Sequence, residues 1–224
     1  MSRLKDRERV LTLRKRGMSY SQIKKELNIS KSTLSIWLRD YPLSKERIRE
    51  LRDFNEQRIE RYRETMRKKK ELRLSNFYKQ EKAKIFSLSR KELYLAGLFL
   101  YWGEGSKTSE ARIAISNTDP GIIKFFIFWL KKYWKVPKNK LKIQLHLYIE
   151  MNTVKEISFW SKELDIPEKQ FIKPYIKISS VKRINHKGGF GHGTCNVVLG
   201  DARLSERVFM GLKVIRDHYV KMRV

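Results

Sequence analysis

The sequence predicts an α+β protein with an all-helical N-terminal domain. Three observations carry this: capped, short amphipathic segments fill the first forty residues, a charged stretch without glycine or proline runs from Lys45 to Ser87, and alternating apolar runs interleave with helical ones after residue 90. With 224 residues, 41% of them apolar, the chain can bury a sizeable core and a smaller second one. The expected division is 1–44, 45–90 as a charged helical linker, and 91–224.

Val10, Leu11 and Leu13 mark a first helix that stops at Gly17. Ser19 followed three residues later by Gln22 is a capping box, which satisfies two orphan N–H groups and opens a second helix carrying Ile23 and Leu27 on one face. Asn28 tolerates the left-handed turn, and Ser30 can cap a third helix bearing Leu34 and Trp37. These offsets are those of a helix-turn-helix. Residues 30–38, Ser-Lys-Ser-Thr-Leu-Ser-Ile-Trp-Leu, resemble the recognition helix of resolvase and transposase-type domains, with Lys24 standing where those domains have a small residue. The resemblance implies a double-stranded DNA partner, with Lys31, Ser32, Thr33 and Ser35 reaching base edges and Lys24, Lys25 and Arg39 on phosphates.

From Lys45 to Ser87 scattered apolar residues sit among dense charge, which reads as one long helix or a pair, solvated by default. A helix over 91–103 comes next, then a strand at 111–116. Asp119 should cap a helix with Pro120 at its first position, running to Trp134. Leu141, Ile143, Leu145, Leu147 and Ile149 alternate with polar residues, the clearest strand in the chain. A helix over 153–164, strands at 175–179 and 194–199, and a final helix capped by Asp201 complete a mostly antiparallel sheet backed by helices.

The charge balance narrows the partner. Lys and Arg number 51 against 24 Asp and Glu, net +27, and the first 90 residues hold 27 basic and 12 acidic groups, net +15, leaving +12 for the rest. A field of that size gathers a polyanion, so nucleic acid is the expected partner of both halves. Cys195 is the only cysteine, which excludes a disulfide scaffold, and no apolar run approaches bilayer length, so a cytoplasmic protein without a membrane partner is expected. His186, His192 and Cys195 have a spacing loosely compatible with a metal site, but in a glycine-rich loop without a partner pair they make a poor zinc site.

Chemistry, if present, is expected in Tyr94-Leu-Ala-Gly-Leu-Phe-Leu-Tyr-Trp-Gly-Glu-Gly105, where small residues on an apolar helix lead to an acid between glycines. This stretch resembles the signature helix of the LAGLIDADG DNA endonucleases, and the order of elements over about 91–220 is similar to that fold. The resemblance implies a homodimer with two such helices side by side, Ala96 and Gly97 allowing their approach, and Glu104 from each chain holding Mg²⁺ or another divalent metal at the scissile phosphate. Lys142 or Lys177 would stabilise developing charge. The outward residues Arg112, Lys142, Gln144, His146, Tyr148, Lys177 and Asn196 would read the groove, with Lys182, Arg183 and Lys187 on the backbone.

One spacing departs from the family. Glu104 is the tenth residue counted from Leu95, where the family has its acid at the eighth. Two extra residues rotate a helical side chain by about 200° and advance it ~3 Å. Either Gly103 breaks the helix and the acid swings back, or the register begins at Gly97. The same pieces also resemble sporulation regulators of the WhiA type, which implies the alternative of a transcription regulator that binds without cutting.

Overall fold

The computed structural model describes residues 2–51, 54–178 and 191–220. The chain divides into two compact units, Met1–Phe86 and Ser87–Val224. The architecture is α+β: helices alone in the first unit, a four-stranded mixed sheet with helices in the second.

In the first unit α1 (Ser2–Lys15), α2 (Tyr20–Leu27) and α3 (Lys31–Trp37) enclose Val10, Leu13, Tyr20, Ile23, Leu34 and Leu38. The local signals act as their chemistry requires. Ser19 and Gln22 form the reciprocal capping box, Asn28 takes the left-handed conformation at φ 51°, and the Ser30 hydroxyl accepts from Thr33 N at 3.1 Å. The charged stretch forms two helices, α4 (Lys45–Glu50) and α5 (Phe54–Ile85). The start of this pair is not a solvated spacer. Ile48 and Leu51 are buried, and Glu60 on α5 accepts from Arg14 through both carboxylate oxygens, at 3.1 and 2.8 Å. Beyond Met66 the helix meets the solvated reading, with every residue from Lys68 to Ile85 exposed.

The second unit runs α6 (Arg90–Glu104), β1 (Arg112–Asn117), α7 (Pro120–Lys132), β2 (Lys142–Tyr148), α8 (Thr153–Leu164), β3 (Phe171–Lys177), β4 (Thr194–Gly200) and α9 (Ala202–Val220). The sheet order is β1-β4-β2-β3, with β1–β4 and β4–β2 antiparallel and β2–β3 parallel. Ile113, Ile115, Ile143, Leu145, Leu147, Cys195, Val197 and Leu199 line its inner face and pack with residues of all four helices, among them Tyr101, Trp129, Trp160 and Val208. Apolar alternation thus turns one face inward and leaves the other uncovered by the described residues of this unit.

Two elements differ from expectation. β3 begins four residues early, at Phe171 instead of Tyr175, and includes Pro174. Proline cannot donate to a ladder, but β3 is an edge strand, and a bulge between Gln144 and His146 absorbs Lys173-Pro174. Second, α6 does not stop at Gly103. It continues through Glu104 and ends at Gly105, whose N–H bonds Tyr101 O at 2.9 Å.

Candidate nucleic-acid interface

Along α3 and the turn that follows it the buried Leu34 and Leu38 fix which side faces out, and Ser32 and Ile36 on the helix and Arg39 just past its end are exposed, with Ile36 at 65%. Lys31, Thr33 and Ser35 flank them, partly buried. The hydroxyls of Ser32 and Thr33 lie 2.8 and 2.9 Å from the capping Ser30 Oγ, a small cluster at the head of the helix. Lys24 and Lys25 are exposed on α2. Ile36 is the residue the sequence reading missed. It follows Ser32 by one helical turn and is out of phase with Leu34, so the helical period alone would have found it.

This short helix is held from behind by charge. Arg14 Nε donates to Tyr41 O at 2.8 Å and its Nη1 to Met18 O at 3.0 Å, while Tyr20 N donates to Glu60 Oε1 at 3.1 Å. Arg63 on α5 stacks over the Tyr20 ring at 4.0 Å and donates to Lys31 O at 3.3 Å. Burial raises the Tyr20 hydroxyl above its usual range, partly offset by Arg14 and Arg63, so the ring stays neutral.

Residues 1–48 match the homeodomain-like domain family. That is a helix-turn-helix domain. Such a domain suggests binding to double-stranded DNA. The match covers less than a quarter of the chain. Neither the curated proteins nor the solved structures yield a match. None of these comparisons supports the LAGLIDADG resemblance of the second unit.

In the second unit the uncovered sheet face carries most of the polar set expected there. The register aligns Ser116, Asn196, Gln144 and Ile172 in one row, Thr194, His146 and Tyr175 in the next, and Tyr148 beside Lys177 at the end. Arg112 and Lys142 are exposed at the other end. Gln144 Nε2 donates to Lys173 O at 3.2 Å, and Lys177 Nζ sits 5.4 Å from the Tyr148 ring centroid. Asn196 Oδ1 is buried and accepts nothing among the described residues. Partial burial, with the Lys177 charge nearby, lowers the His146 pKa from its ordinary 6.5. Lys182, Arg183 and Lys187 lie outside the described residues.

Glu104 ends α6 at the edge of this sheet. Tyr101 OH donates to Ser106 O at 2.5 Å, Ser106 N to Ala114 O at 2.8 Å, and Gly105 bridges Ile115, so the turn after the acid is stitched to β1. Asn117 Nδ2 then donates to Glu104 Oε2 at 3.0 Å, the exposed carboxylate's partner here. The cation fixed at this corner is Lys107, whose Nζ donates to Trp102 O at 2.6 Å. Its place three residues past the acid was visible in the sequence, but the turn that folds it back was not.

Two expected placements need correction. Lys142 lies two strands from Asn117 and three rows along, ~14 Å by strand spacing and rise, and Lys177 is farther, ~17 Å, so within one chain neither is beside Glu104. Gly97 is not at a free helix surface. It is buried, and the Trp129 indole of α7 occupies the space a Cβ would need. Ala96 is partly exposed, next to an apolar stripe of Phe99 and Trp102 whose rings stack at 6.1 Å.

α6 is continuous, so Glu104 follows Gly97 by seven residues and returns to nearly the same side, ~20° off, but stands ~140° around the helix from Phe99. Among the described residues no three His, Cys, Asp or Glu side chains group to hold a metal, and none of the helices is long and apolar enough to cross a membrane. His192 Nδ1 lies 2.6 Å from Glu156 Oε2, and Cys195 is buried with its thiol pushed up to about 12, while His186 lies outside the described residues.

Proposed function

We propose that the protein binds specific sites in double-stranded DNA, α3 entering the major groove and the uncovered sheet face contacting the same duplex. Residues 1–44 find the site, 45–90 extend the cationic surface, and 91–224 engage the duplex again. The exposed Ser32 and Ile36 on one face of α3, with Arg39 exposed just past its end, carry this reading, because together they offer a hydroxyl, a methyl-contacting apolar side chain and a cation. Lys24 and Lys25 would anchor phosphates.

A second reading, Mg²⁺-dependent cleavage by a homodimer, is favoured by the exposed Glu104, which a neutral amide holds in place instead of a cation. Among the described residues no three His, Cys, Asp or Glu side chains gather at Glu104, too few ligands to fix the ion within one chain. Two chains would have to bring Glu104 together, and the ~140° between Glu104 and Phe99 on α6 opposes a pairing through the Phe99–Trp102 stripe. The regulator reading thus fits one chain better. In it Glu104 fastens α6 to β1 through Asn117.

Selection of bound duplexes from a randomised library, with Mg²⁺ and sequencing of new ends, tests both. An enriched motif without ends supports a regulator. Ends made by wild-type protein and lost in Glu104→Gln would establish cleavage. No enriched motif would overturn the proposal.

A further inference from the structure

We propose that α5 and α3 form the two walls of a groove that seats one phosphate strand of the duplex whose bases α3 reads. This rests on the DNA-binding reading above and adds a second contact to it. The groove is open, about 1480 Å³, and lies wholly within the first unit. Lys31, Ser35, Ile36 and Arg39 line it from α3 and its end, and successive turns of α5 line it opposite with Arg58, Tyr62, Met66, Lys69, Lys70 and Arg73.

Its electrostatics are one-sided. The two acids that line it, Glu60 and Glu64, are each committed to an arginine, Arg14 and Arg67. Arg39, Arg58, Lys69, Lys70 and Arg73 form no ion pair among the described residues and are exposed. Unpaired cations facing one another across a groove repel, and a polyanion between them removes that repulsion. The cationic row from Arg58 to Arg73 spans ~22 Å, long enough to meet several phosphates of one strand.

The groove is also held in shape before any ligand arrives. The Glu60–Arg14 pair and the Arg63 bond to Lys31 O tie α5 to the helices that carry the recognition face, so little ordering is left to oppose binding. Duplex DNA is the occupant the neighbouring helix favours, because a B-form major groove admits an α-helix and the deep, narrow one of duplex RNA does not.

Salt titrations of binding, read by fluorescence anisotropy on the selected duplex, test the proposal. Lys69→Gln, Lys70→Gln and Arg73→Gln together should lower the slope of log affinity against log salt by about 2 to 3, near 0.9 per lost phosphate contact, with the sequence preference kept. The charge-matched control beyond the groove, Lys79→Gln, Lys82→Gln and Lys84→Gln, should leave most of the slope. Ser32→Ala with Ile36→Ala should do the reverse, reducing discrimination between sequences at a nearly unchanged slope. That arm fails separately if the DNA-reading role of α3 is wrong. Equal slope losses in the two triple variants, an unchanged slope in the first, or tighter binding to duplex RNA than to DNA would overturn the groove.

Discussion

Arg14 and Glu60 are 46 residues apart and form a fork-to-fork pair in which both side chains are almost wholly buried, at 3% and 4% exposure. The pair fastens α5 to the helix-turn-helix. Two further N–H groups of Arg14 meet Met18 O and Tyr41 O, so four of its five donors are bonded, and Glu60 also accepts from Tyr20 N, so charge-assisted bonds offset much of the desolvation. Removing one partner leaves the other charge buried and unpaired. We expect Glu60→Ala to cost about 3 to 5 kcal/mol in chemical denaturation of the first unit's transition. Arg14→Met with Glu60→Leu should recover most of that loss. A loss under ~1 kcal/mol in the single variant would mean the pair is not closed in solution.

Gly97 gives a different kind of packing test. A methyl group there must displace the Trp129 ring, which is itself fully buried, so we expect Gly97→Ala to cost about 1 to 3 kcal/mol through overpacking, somewhat reduced by alanine's helix propensity. The drop in the second unit's melting temperature should be independent of protein concentration. A drop that vanishes at high concentration would instead place Gly97 in contact with a second chain.

Cys195 reports on the same core. Full burial pushes its thiol up to about 12, so at pH 8 roughly one molecule in 10⁴ would carry the reactive thiolate even with access. We expect no reaction with a disulfide reagent in native buffer over hours and stoichiometric reaction in denaturant. As the chain's single cysteine, it makes the labelling rate a measure of opening around β4.

What the sequence revealed and what it hid follow from range. Caps are local: Ser19 with Gln22, Ser30 and Asp119 were legible because donor and acceptor lie within three residues. The inner faces of β2 and β4 were legible because alternation is local too. Hidden were the relationships that only folding creates. Nothing near Glu60 distinguishes it from the solvated acids of α5, since its partner is on α1. Pro174 masked the start of β3 because an edge position, which permits it, is a property of the sheet. Small residues in Leu95-Ala96-Gly97 pointed to close approach, but not to Trp129 of the same chain as what approaches.

His146 links the sheet face to pH. Its folded pKa is depressed, chiefly by burial and then by the Lys177 charge, below the 6.5 it would have when unfolded. The unfolded chain therefore binds the proton more readily. Stability from this group is fully present above about pH 6.5 and falls as pH drops through that value toward the lower folded pKa. We expect the His146 ring resonances to titrate below the ordinary 6.5 of a free imidazole. Lys177→Gln should move the midpoint up, because it removes a like charge. It should also weaken DNA binding if the sheet face meets phosphate, whereas DNA itself should raise the His146 midpoint by bringing negative charge to the ring. A midpoint unmoved by both substitution and DNA would remove His146 and Lys177 from the interface.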